Sequence, residues 1–114
     1  MAKDDYFVIT YRILAYLYAC LKSGEQVSLE YLKYDTSDFP IGKDYWYYIF
    51  THLYEDGYVE GVSLIPILGN TVKGVKLNPW VQITPKGIEY FQDNSTLQRA
   101  KNFLKELKEF IPGM

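Results

Sequence analysis

One pair of runs limits this chain's fold more than any other feature. Tyr58 to Ile65 is rich in Val, Ile, Tyr and Leu and stops at Pro66, the composition of a strand. Trp80-Val81-Gln82-Ile83 supplies the returning strand. Turn signals at Gly69-Asn70 and Lys73-Gly74 make residues 66–79 a long hairpin tip. Helical patterns lie on both sides of this hairpin, so the chain is expected to be an α+β fold. With 114 residues, 48% of them hydrophobic, it suits a single domain over 1–114 with one packed core.

Ahead of the hairpin, residues 5–22 contain no Gly or Pro. Ile9, Ile13, Leu17 and Leu21 make one apolar helical stripe, and Phe7, Tyr11, Leu14 and Tyr18 make a second. A helix apolar on two sides is expected to be covered by its neighbours and by a later element, and Ser23-Gly24 ends it. Ser28 is an N-cap candidate for a short helix over 29–34, and the polar turn Asp35 to Pro40 separates it from the next helix. That third helix runs from about Lys43 to Glu55 with Gly42 as N-cap and Ile41 and Trp46 as a hydrophobic staple. Trp46, Ile49, Phe50 and Leu53 form its buried stripe. Asp44, Tyr47, Tyr48, Thr51, His52 and Glu55 form its outer face, and Asp56-Gly57 caps its end.

After the hairpin, Thr84-Pro85 is an N-cap followed by proline at the first helical position, opening a helix that carries Ile88 and Phe91 on one face. Ser95-Thr96-Leu97-Gln98 fits a capping box. The last predicted helix carries Leu97, Ala100, Leu104, Leu107 and Ile111 as an apolar stripe. Three helices, a two-stranded hairpin and two more helices give the order of a winged helix-turn-helix with two additional C-terminal helices.

Three stretches sharpen this reading: Leu53-Tyr54-Glu55-Asp56-Gly57-Tyr58-Val59-Glu60-Gly61, Ile83-Thr84-Pro85-Lys86-Gly87-Ile88-Glu89-Tyr90-Phe91, and Ala100-Lys101-Asn102-Phe103-Leu104-Lys105-Glu106-Leu107-Lys108. Together they resemble the YjcQ family, small winged-helix proteins of Gram-positive bacteria and their phages and prophages. The resemblance extends from about Trp46 to Gly113 and implies the fold; it brings no catalytic residue with it. Physically, Gly57 permits the left-handed turn from helix into strand, and Thr84-Pro85 starts a helix where the hairpin ends.

Chemistry is sparse. One histidine, His52, and one cysteine, Cys20, leave no intrachain disulfide and no cysteine-based zinc cage and remove most metal and triad designs, so neither an enzyme, a metal site nor a cofactor is expected. Cys20 lies within the apolar helical run and reads as a small buried hydrophobe. Asp35, Asp38, Glu55 and Asp56 read as solvated turn and surface acids. The acidic start and the lack of a long uninterrupted apolar span point to a cytoplasmic protein without a membrane segment.

The candidate partners are double-stranded DNA and another protein. For DNA, the architecture offers Lys43, Tyr47, Tyr48, Thr51 and His52 on the third helix and Lys73 and Lys76 on the wing. Against it, net charge is −2, and the third-helix region sets Lys43 against Asp44, Glu55 and Asp56, a local sum of −2. For a protein partner, Tyr47 and Tyr48 point away from the buried stripe, and tyrosine suits interfaces. The alternatives are solvated lysines, Tyr48 packed beneath the wing and Tyr47 as an ordinary surface aromatic. The final helix sets Arg99, Lys101, Lys105 and Lys108 against Glu106, a local sum of +3 between Ser95 and Lys108. Its stripe is expected to pack on the Phe7–Leu14–Tyr18 side of the first helix or to form a homodimer interface; the oligomeric state, monomer or homodimer, stays open.

Overall fold

The uninterrupted helical pattern of the N-terminal region forms α1, Asp5–Ser23. The structure is a computed structural model and describes residues 5–69 and 74–93. Within them the architecture is α+β: α1, α2 (Lys43–Glu55), β1 (Val59–Ile65), β2 (Gly74–Ile83) and α3 (Pro85–Asp93), with the two strands in one antiparallel sheet. The predicted final helix and its stripe from Leu97 to Ile111 lie outside the described residues.

α1 buries Ile9, Ile13 and Leu17 in a core shared with α2 and both strands. Its second side meets α3, where Phe91 lies 5.2 Å from the Tyr11 ring and 5.8 Å from the Tyr18 ring. The two-sided apolar pattern is therefore covered by a later element as expected. Leu21 departs from the expected stripe, because the helix ends beside it and leaves it 46% exposed. Gly24, at φ +75°, bonds its N–H to the Cys20 carbonyl and stops the helix.

The short helix expected at 29–34 is instead a turn. Six residues gain too few backbone bonds to repay helix nucleation, and tertiary bonds hold the segment as a turn instead. Ser28 still caps locally, its Oγ accepting the Tyr31 N–H at 3.3 Å. The Ser28 N–H, however, goes to the Tyr16 hydroxyl at 2.8 Å, and the Leu32 carbonyl accepts the Trp46 indole N–H at 2.7 Å. Asp35 then turns left-handed at φ 56°. The polar run expected between two helices hides an anchor: Phe39 is fully buried, and Arg12 of α1 clamps the loop by donating to the Asp38 carbonyl at 2.7 Å.

α2 matches the expected bounds. Gly42 is its extended N-cap without a side-chain bond, and Ile41 and Trp46 are both buried beside it. At the other end Gly57, at φ +82°, donates to the Tyr54 carbonyl while Tyr58 N–H reaches the Leu53 carbonyl, the paired closure of a Schellman cap.

The hairpin pairs Val59 with Ile83 and Ile65 with Gly74, so β2 is far longer than the expected 80–83 and the tip shrinks to 66–73. The Lys73-Gly74 turn signal marks the start of β2 itself, and Asn78-Pro79 is accommodated as a bulge inside the continuing strand. Between the pairs Glu60–Gln82 and Val62–Leu77, residues 78–81 stand opposite Gly61 alone. Gly61 has φ +83°, and a Cβ there would lie 2.6 Å from Val81 Cα. Asn78 Nδ2 ties the bulge by donating to the Gly61 carbonyl at 3.0 Å and to Ser63 Oγ at 3.1 Å.

α3 starts as Thr84-Pro85 predicts. Thr84 Oγ1 accepts the Gly87 N–H at 3.0 Å and donates to the Gly57 carbonyl at 2.6 Å, while the Thr84 N–H bonds to the Tyr58 carbonyl at 3.0 Å. Thr84→Ala loses both hydroxyl bonds and is expected to cost about 1–2 kcal/mol. Gly87→Ala is expected to cost more, because its Cβ would sit 2.1 Å from the Tyr58 carbonyl oxygen. Urea unfolding midpoints of the two variants check this order, and an alanine at 87 as stable as the parent would contradict the close approach.

Candidate functional site

α2 turns about 100° per residue, so consecutive outer residues diverge onto separate flanks. The residues expected to share its outer face do so only in part. Tyr47 is half-buried on the flank nearest the hairpin, where a cleft of about 260 Å³ is lined by Lys33, Tyr34, Trp46, Tyr47, Val75 and Leu77 among others. The Tyr34 ring stands edge-on to Trp46 at 5.4 Å and to Tyr47 at 6.5 Å. Lys43 Nζ lies over the Tyr47 ring at 5.9 Å. Two lysines thus border one aromatic cleft, Lys33 from the 29–34 turn and Lys43 from the first turn of α2.

Tyr48 faces the other way. It is 47% exposed and does not pack beneath the hairpin; Tyr47 is the ring on the hairpin side. Tyr48 contacts His52 at 4.4 Å, Tyr6 of α1 at 6.3 Å and Tyr45 at 6.5 Å, giving a continuous aromatic surface across α1 and α2. Thr51 is less available than its place on the outer face suggests, since its hydroxyl oxygen is buried. Lys76 is exposed and alternates with the buried Val75 and Leu77, so it occupies the hairpin face turned away from the core. Lys73 lies outside the described residues.

Of the residues singled out in the sequence, Lys43 and Tyr47 lie at the cleft, Tyr48 and His52 on the aromatic surface and Lys76 on the hairpin, whereas Lys33, Tyr34, Tyr45 and Tyr6 were not singled out. Lys33 and Tyr34 were assigned to a helix, and their convergence with Tyr47 depends on the Leu32–Trp46 bond, which links positions 14 residues apart. Among the described residues no group of three His, Cys, Asp or Glu side chains is placed to hold a metal ion. Cys20 is buried. Nor does any helix among these residues have the length and apolarity to cross a membrane.

A family model described as YjcQ protein matches residues 11–110. The chain belongs to the YjcQ family. The matched span of this YjcQ chain includes the Lys33–Tyr47 cleft, Tyr48, His52 and the Gly57–Thr84 junction, and begins after Tyr6. Searches of curated proteins and of solved structures give no match.

The aromatic surface of this YjcQ protein has one titration of consequence. Burial first, then the neighbouring Tyr90 and Tyr48 hydroxyls, push Tyr6 from 10.0 up to about 12. Tyr90 is raised as well, by burial and then by Tyr58, whose ring stacks on it at 4.2 Å. A raised pKa means the folded state holds the proton more tightly than the unfolded chain. Stability from Tyr6 is therefore intact below pH 10 and is lost as pH rises toward 12. Urea midpoints measured across that range are expected to fall in the parent and to fall less steeply in Tyr6→Phe; parallel slopes would contradict this assignment.

Proposed function

We propose that this YjcQ-family protein is a non-enzymatic winged helix-turn-helix module that binds double-stranded DNA in a regulatory role in the cytoplasm. In this reading the 29–34 turn stands where the motif's second helix would lie, α2 is the recognition element and β1–β2 is the wing. A prophage or bacterial setting belongs to the same proposal and follows from the family resemblance.

The observation that carries it is the Lys33–Lys43 pair bordering the Tyr34–Tyr47 cleft where α2 meets the hairpin. Phosphates are bound chiefly by lysine, arginine and hydroxyl donors, and this edge gathers two ammonium groups and two phenols. Lys76 extends the positive charge onto the outer face of the hairpin. Asp44, Glu55 and Asp56 on or beside the same helix limit affinity, so binding is weak and strongly salt-dependent.

Replacing Lys33 and Lys43 together by Ala is expected to weaken binding to every duplex and to flatten the salt dependence by about two logarithmic units. Lys76→Ala alone is expected to remove about one. Fluorescence anisotropy on genomic fragments from about 50 mM salt upward measures both. Complete absence of binding at the low end would reject the DNA reading.

A second reading rests on the Tyr6–Tyr45–Tyr48–His52 surface, which is aromatic, partly exposed and flanked by Asp44 and Glu55. It describes a protein-interaction adaptor that keeps the scaffold without binding DNA. Tyr48→Ala separates the two, since it leaves DNA affinity unchanged in the first reading and abolishes partner binding in the second.

A further inference from the structure

A larger cleft, about 410 Å³, lies away from α2 between the last turn of α1, the 24–27 loop and the β2 bulge. Its walls include Leu17, Leu21, Glu25, Glu60, Trp80 and Val81, and no α2 residue contributes. Three features need an explanation. Trp80 is 67% exposed and Leu21 is 46% exposed, two large apolar side chains facing the same opening. The lining carries two carboxylates, Glu25 and Glu60, and no cationic side chain. The bulge that displays Trp80 is also firmly held, through Gly61 at φ +83° and the two bonds from Asn78.

We propose that this cleft is the docking site of the chain's own segment 95–111. The segment has the complementary composition: Leu97, Ala100, Leu104, Leu107 and Ile111 at helical spacing, and Arg99, Lys101, Lys105 and Lys108 against Glu106 up to residue 108. Its apolar side covers Leu21 and Trp80, and its lysines meet Glu25 and Glu60. Connectivity supports an intramolecular fit. α3 ends at Asp93, and Gln92 Nε2 donates to the Tyr18 hydroxyl at 3.4 Å, one helical turn before Leu21 on α1. A single residue, Asn94, joins α3 to the segment, and so short a tether keeps its effective concentration at α1 high. The inference stands apart from the DNA reading, because the cleft and the α2 edge share no residue.

Zero-length carbodiimide coupling of carboxylates to lysine amines on the full chain tests it, with the monomer isolated by size exclusion before peptide mass spectrometry. The expected result is an intrachain link from Glu25 or Glu60 to Lys101, Lys105 or Lys108. Leu104→Asp is expected to abolish that link and to make Trp80 more accessible to acrylamide quenching, while Trp46 stays protected inside the core. Absence of the link in the parent monomer would overturn the proposal. So would a link found only in covalent dimers, which would assign the cleft to a second copy instead.

Discussion

Four elements of this protein meet at one threonine hydroxyl. Thr84 Oγ1 donates to the carbonyl of Gly57, where α2 ends and β1 is about to begin, and accepts the N–H of Gly87 in the first turn of α3. Its own N–H closes on Tyr58, so the end of β2 is fixed to the start of β1 at the same point. Gly87 permits α3 to approach until its backbone touches the Tyr58 carbonyl, a distance no side chain tolerates. The angle between α2 and the hairpin, and the seating of α3 on Tyr11 and Tyr18, depend on this junction.

A second knot sets the opposite end of α2. Inside the core the indole of Trp46 donates to the Leu32 carbonyl and holds the 29–34 turn against the helix. Phe39, fully buried, and the Arg12–Asp38 contact fix the following loop to α1. Between the two knots α2 is oriented so that Tyr47 faces the hairpin with Lys33 and Lys43 beside it, while Tyr48 faces Tyr6. The split of the helix surface into a basic flank and an aromatic flank follows from this orientation together with the helical period.

Features that depend on local chemistry were legible in the sequence. The bounds of α2, the glycine cap at 57 and the Thr84-Pro85 start all follow from residues adjacent in the chain. What was missed depends on distant partners. The 29–34 segment is a turn held by Tyr16 at one end and Trp46 at the other, and neither partner is visible in a local window. Asn78-Pro79 carries the same turn signal whether it ends a strand or bulges one; only the pairing of Val62 with Leu77 distinguishes them. Lys33 escaped notice as a site residue for a related reason, since its neighbour across the cleft, Tyr47, is distant in sequence.

The functional account rests on the basic flank of α2 being the one that meets a phosphate backbone. Residue-resolved chemical-shift mapping of the full protein with a short duplex at about 50 mM salt tests that claim most directly, because phosphate contacts are strong there. The account predicts perturbations grouped at Lys33, Tyr34, Lys43 and Tyr47 and extending to Lys76, with Tyr6, Tyr45, Tyr48 and His52 unmoved. Perturbations confined to the Tyr48 surface, or none at any DNA concentration, would contradict it.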